Sequence, residues 1–243
     1  MPDRRQDSSV QPQDGSKREE RAQRILDVTA ALILRWGYNK TTIDDIARQA
    51  GVAKGTIYLH WKTREELFGA LMQRERLALT EEVQQRVAAD PAGATLRAML
   101  RHSALALLQR PLLKAALLRD AEVIGRLAHS AQNSAALAER AAGFATYLAA
   151  LREQGLVRTD LSLRTQVFLV SAAFAGFFLV APLLPDDYRL ADEELADLLA
   201  ETVHRTLEPE RTPGSDLAFQ AVQQYLDRDA AIAREQLRQG LEP

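Results

Sequence analysis

The chain has 243 residues, of which 47% are hydrophobic and 26% charged, with no cysteine. That composition suits a globular protein with an ample core and excludes disulfides, thiolate nucleophiles and cysteine-held metals. The formal net charge of -2 conceals an asymmetry: Lys17 to Arg64 carries ten basic against five acidic residues, while Glu65 onward carries 19 basic against 25 acidic. A basic segment joined to a larger acidic body points to one end that meets a polyanion.

Residues 1–16 are polar throughout, with no apolar segment of the kind a signal peptide needs, and read as a disordered tail. From Lys17 to Trp36 the spacing of Ile25, Val28, Leu32 and Trp36 predicts a helix with one apolar face, ended by Gly37. "TTIDDIARQA" opens with hydroxyls and acids, the pattern of a helix start, and Ile43, Ile46, Ala47 and Ala50 share a face. Gly51 then breaks the chain before a third, short helix through Trp61. Thr63 is the expected N-cap of a fourth, with Glu66 as its capping-box partner.

Beyond that the chain is rich in alanine and leucine. It is punctuated at "DPAG" (90–93), Pro111, "GLVRTDLS" (155–162) and "PLLPDDY" (182–188), with no period-2 run that would argue for strands. The expected class is therefore all-α. Its expected parts are an N-terminal three-helix helix-turn-helix unit over 17–64 and a larger helical body over 65–208. A linker at 209–214 precedes an amphipathic helix over 215–243, capped by Ser215, with Leu217, Ala221, Val222, Tyr225 and Leu226 on one face. The uncharged run "VFLVSAAFAGFFLVAPLL" at 167–184 has 18 residues, the lower limit for a membrane span. With its interior alanines, Ser171 and Pro182, it reads instead as a helix covered by its own domain and by a second subunit.

Ile43 to Trp61 forms a unit of two short helices joined at Gly51. Val52, Ile57 and Trp61 are placed to fill the wedge between helices, and Trp36 is expected to be core as well. Lys54, Gly55, Thr56, Tyr58 and His60 remain for the outer side. Donors around one glycine, on a helix presented by its partner, suit phosphate oxygens and base edges in a major groove.

Residues 21–70 resemble the DNA-binding domain of the TetR family of bacterial transcriptional regulators. The resemblance rests on Gly37-Tyr38, Thr41-Thr42-Ile43, Ile46-Ala47, Ala50-Gly51-Val52, Lys54-Gly55-Thr56-Ile57-Tyr58 and Glu65-Glu66-Leu67-Phe68, all in one register. It implies that Thr42 caps the second helix and touches a phosphate with Thr41 beside it. It implies further that Lys54, Gly55, Thr56, Tyr58 and His60 meet DNA, with Lys62 and Arg64 as phosphate contacts at the next helix start. Ala53 stands where many relatives have serine, which removes an N-cap. Leu59 replaces a common polar residue, so its contact would be apolar, as with a thymine methyl group.

The four histidines show no metal-ligand spacing, and neither a G-x-S-x-G nor a phosphate loop is present, so neither an enzyme, a metal nor a cofactor is expected. The resemblance implies a cytoplasmic homodimer on double-stranded DNA at a pseudo-palindromic operator, released by a small-molecule effector. The alternative is an architectural DNA-binding protein without an effector. Dimerisation would use helices near 162–181 and 192–207, through Phe168, Ala172, Ala175, Leu179, Leu195 and Leu199. Polar residues amid the apolar helices, His102, Arg119, Asp120, His129, Asn133 and Tyr147, are the expected effector contacts.

Overall fold

The computed structural model describes residues 12–90, 94–117, 131–209 and 216–241, and the regular structure among them is helical. The helices are α1 (Pro12–Trp36), α2 (Ile43–Ala50), α3 (Lys54–Tyr58), α4 (Arg64–Ala89), α5 (Leu96–Leu108), α6 (Pro111–Leu117), α7 (Ala131–Glu153), α8 (Leu163–Val180), α9 (Asp192–Leu207) and α10 (Asp216–Leu241). Two 3-10 turns, Ala181–Leu183 and Asp186–Tyr188, lie between α8 and α9. The expected turn at Pro91, the linker at 210–214 and the Ser215 cap lie outside the described residues.

Hydroxyl side chains begin four of these helices. Thr42, Thr63, Thr95 and Ser162 each accept the amide three residues on, which satisfies one of the free N–H groups of a first turn. The Glu66 carboxylate reaches back one residue further than a standard capping box, to the Lys62 amide at 2.8 Å. Gly51, at φ 66°, ends α2 by returning its amide to the carbonyls of Ala47 and Arg48. That left-handed turn sets the angle between α2 and α3.

Helix α1 begins at Pro12, five residues before its expected start, so part of the expected tail is helical. Trp36 is not core: it is 37% exposed, at the end of α1 where the Gly37 amide closes on the Ile33 carbonyl. Helix α3 stops at Tyr58, with Leu59 as its C-cap, short of the expected end at Trp61.

Two apolar cores result. One joins α1, α2, α3 and the first turns of α4 through Ile25, Leu26, Ile46, Ile57, Trp61, Phe68 and Leu71. The other fills the body and takes Val83 and Val87 from the far end of α4. Helix α4 thus belongs to both. Helix α10 lies along α4 and α7 of its own chain, with Ala221, Val222 and Leu226 in the body core. Helix α9 packs on α5 and α8.

Leu195 and Leu199 are corrected by this packing. Both point into the body core, because the buried stripe of α9 runs through Leu195, Ala196, Leu199, Ala200 and Val203. Leu198, between them in sequence but outside the stripe, is 48% exposed.

Candidate nucleic-acid interface

Ile57 and Trp61 are buried and anchor α3 from within, while Lys54, Gly55, Tyr58 and Leu59 stand at the surface with Thr56 half-buried beside them. Tyr58 is 44% and Leu59 68% exposed, an unusual showing for large side chains unless the surface they form is used. A Cβ at Gly55 would meet nothing within 4 Å, so this glycine leaves open space on the outer side of the helix. Ala53 gives α3 no side-chain cap, in line with the departure noted in the sequence.

The electrostatics are local. Lys54 Nζ lies 2.9 Å from Asp44 on α2, and this hydrogen bond raises its pKa, so the ammonium stays charged. Asp45 accepts from the Thr42 hydroxyl and pairs with Arg48, which holds its carboxyl below the usual range. The Thr42 hydroxyl is exposed and serves the α2 cap. Lys62 is exposed next to the start of α4.

Three expected contacts are not placed at this surface. Thr41 is fully buried, its hydroxyl donating to the Gly37 carbonyl at 2.9 Å, so it fastens the α1–α2 turn. His60 is 4% exposed and lies against Trp61, because the chain leaving α3 turns inward at that point. Burial lowers its pKa, and the positive fields of Arg18 and Arg21 add to the effect. Arg64 turns back over the Tyr38 ring at 4.1 Å and the Phe68 ring at 5.2 Å, donating to the Tyr38 carbonyl. A half-buried guanidinium packed against two rings and bonded to a carbonyl is a core strut, not a free phosphate ligand.

Arg18 on α1 was not singled out from the sequence. Its guanidinium reaches the Leu59 carbonyl at 3.5 Å, which sets a cation beside the end of α3. The basic spacing of Lys17, Arg18, Arg21 and Arg24 was the available signal.

In the body, His102 is buried with Nε2 3.0 Å from the Asp90 carboxylate, and its Nδ1 has no partner among the described residues. The Tyr147 hydroxyl is also buried and unpartnered there, and its ring stacks on Tyr225 at 5.3 Å between centroids. Burial pushes both phenols well above their ordinary value. Arg119, Asp120 and His129, and the Asn133 side chain, lie outside the described residues.

Helix α8 presents a bare apolar face. Over Leu163–Leu183 it is long and apolar enough to cross a membrane by length and composition, and 17% of that span is buried within the chain. Phe168 is 74% exposed, with Ala172 and Leu179 also exposed and Ala175 half-buried. A shallow groove of about 520 Å³, lined by Gly176, Phe177, Leu190 and Leu198, runs between α8 and α9.

A short helix held by apolar anchors, following a threonine-capped partner across the Gly51 turn and bare on its outer side, defines a helix-turn-helix unit. Residues 25–71 match the family described as bacterial regulatory proteins, tetR family. Over that segment, about a fifth of the chain, the protein is similar to the DNA-binding domain of TetR-family regulators. It is 32% identical over 116 residues to the HTH-type transcriptional regulator AcrR of Shigella flexneri, covering 45% of this chain and 54% of AcrR. The match therefore spans about half the length of that relative. The probable acrEF/envCD operon repressor of Escherichia coli K12 is 27% identical over 169 residues, covering 63% of this chain and 72% of the repressor. In fold the chain is similar to SmeT in complex with triclosan, with a TM-score of 0.61 and 21% identity over 81% of this chain and 96% of that one. SmeT represses a multidrug efflux pump of Stenotrophomonas maltophilia.

Proposed function

We propose that the chain is a ligand-responsive transcriptional repressor of the cytoplasm that acts on DNA as a homodimer. The observation that carries this reading is the outer side of α3: Lys54, Thr56, Tyr58 and Leu59 are offered together while Ile57 and Trp61 lock the helix to its core. Lys54, Thr42 and Lys62 supply phosphate contacts. Tyr58 and Leu59 reach base edges in the major groove. Residues 17–64 form the DNA-binding unit and 65–208 the effector and dimerisation unit.

The dimer forms on the bare face of α8 and on α9, through Phe168, Ala172, Ala175, Leu179 and Leu198. Covering that face removes apolar surface from water, the main drive for stable association. A two-fold axis there sets two copies of α3 at half-sites one helical turn or a multiple apart, which is why the operator is pseudo-palindromic.

The effector is an apolar small molecule with a hydrogen-bonding group, met in the body by Tyr147 and His102. The complex of SmeT with triclosan supports this class. A buried hydroxyl without a partner costs about 1–3 kcal/mol, so a ligand acceptor that pairs with Tyr147 recovers that cost. Release follows where the ligand prefers a conformer whose α3 helices no longer match the half-sites. Selection of bound fragments from the sheared source genome, at physiological salt with competitor DNA, tests the reading. One or a few pseudo-palindromic sites, released by an apolar ligand, are expected. Uniform recovery of all fragments contradicts it.

A further inference from the structure

Helix α10 does something the DNA-binding reading does not account for. It is the second long helix, with α4, that touches both cores; the short α6 also spans them, through Leu112 and Leu113. Ala218, Ala221, Val222 and Leu226 sit in the body core, and Leu237, three turns on, packs against the core that holds α3. Along the way its polar side is fastened to α4. Asp229 accepts from the Thr80 hydroxyl at 2.6 Å, Asp227 accepts from Gln84 at 2.8 Å, and Arg234 pairs with Glu81 at 2.9 Å.

Arg140 of α7 ties this seam to a third helix. Its guanidinium lies 3.2 Å from the Asp229 carboxylate and also donates to Gln236 of α10 and Gln73 of α4. The ion pair is largely withdrawn from solvent, with each side chain only 12% exposed. Burial and the nearby Arg76 bring the Arg140 pKa down to about 10, which leaves it charged at neutral pH. A buried pair of this kind adds little net stability over apolar residues of the same size, and its recognised use is to fix one arrangement among several. Apolar packing alone would let α10 slide or roll along α4, whereas directional bonds to two helices, α4 and α7, define its register.

We infer that α10 is a strut parallel to α4, and that Arg140, Asp229 and Thr80 are positioning residues which hold the DNA-binding unit at one angle to the body. Without α10 the only long helix through both cores would be α4, braced near its middle by the two-turn α6 alone, and the angle would vary through its bending. Two helices clamped at mid-length resist that bending as a pair. The inference rests on the DNA-binding reading for its consequence, since the angle decides how the two copies of α3 meet their half-sites.

The test uses the full chain with two variants. Arg140→Met with Asp229→Leu removes the polar clamp while keeping apolar volume, and Leu237→Ala loosens the far end at the α3 core. The absence of cysteine allows spin labels at exposed Gln49→Cys and Thr159→Cys, diluted with unlabelled protein, to report the angle within one chain and without DNA. Both variants should broaden the label-to-label distance distribution. Both should also weaken binding to the best operator by about tenfold, a coupling of ordinary size, while operators with altered half-site spacing lose less. The salt dependence of binding stays that of the parent, because no phosphate contact has changed. A folded variant whose distances are as narrow as the parent's overturns the inference, as does an unchanged spacing preference. If the parent itself binds no operator, the DNA-binding reading fails, and the distances still decide whether α10 is a strut.

Discussion

Lys54 on α3 and Asp44 on α2 are joined at 2.9 Å, so the central cation of the proposed DNA surface is held by a carboxylate in the free protein. The pair is exposed on both sides and so contributes little to stability. Its effect is on binding: a phosphate must compete with Asp44 for the same ammonium. Asp44→Asn is expected to raise affinity for any duplex by about fivefold at low salt, the size of one solvent-screened charge at contact distance, with a smaller gain at high salt. Titrations on specific and random duplexes read this directly. Equal or weaker binding by the variant would mean that Asp44 aims Lys54 and does not restrain it.

Acid should loosen the DNA-binding unit through His60. Its folded pKa is lowered from 6.5 by burial, with Arg18 and Arg21 adding to the effect. Below pH 6.5 the unfolded chain therefore takes up a proton that the folded chain does not. Stability from this group is full above that pH and is lost as pH falls from 6.5 toward the folded value. Urea unfolding of the parent and His60→Gln from pH 8 to 5 should show a shallower acid decline in the variant. Parallel curves would place the histidine in solvent.

Arg64 and Lys62 are neighbours in sequence with opposite expected roles. Arg64→Ala removes a guanidinium packed on Tyr38 and Phe68 and should cost about 1–3 kcal/mol of stability without changing the salt slope of DNA binding. Lys62→Ala should leave stability within about 0.5 kcal/mol and reduce the slope. Chemical denaturation and salt titration on both variants separate the two.

Neighbouring leucines on α9 divide in the same way. Leu198 is exposed and Leu199 fully buried. Leu198→Glu, or Phe168→Glu on α8, should yield a folded monomer by light scattering with weakened operator binding. Leu199→Ala should cost about 2–5 kcal/mol of stability through the cavity it leaves while the folded fraction remains dimeric. A dimeric Phe168→Glu protein would move the two-fold axis elsewhere.

The helix-turn-helix was legible because its determinants are local. Thr42, Gly51 and Thr63 bond backbone groups within five residues of themselves, and the stripe of Ile43, Ile46, Ala47 and Ala50 is buried as its spacing requires. His60 and Arg64 were misread because their surroundings come from far along the chain. Arg64 is captured by Tyr38, 26 residues away, and His60 is covered where α3 has already ended. For Leu195 and Leu199 the period was right and the partner was not: they share one stripe with Ala196, Ala200 and Val203, and that stripe faces the chain's own body. The seam of α10 on α4 depends on pairs about 150 residues apart, such as Thr80 with Asp229, which no local pattern encodes.

The central claim is that the outer side of α3 meets DNA, and salt titration of a selected operator with Lys54→Ala and Tyr58→Ala tests it most directly. Lys54→Ala is expected to weaken binding and to lower the slope of log affinity against log salt by about one, the loss of one phosphate contact. Tyr58→Ala is expected to weaken binding to the operator by about 1–3 kcal/mol more than to random duplex. Parent-like affinity and slope in both variants would contradict the account and move the DNA surface away from α3.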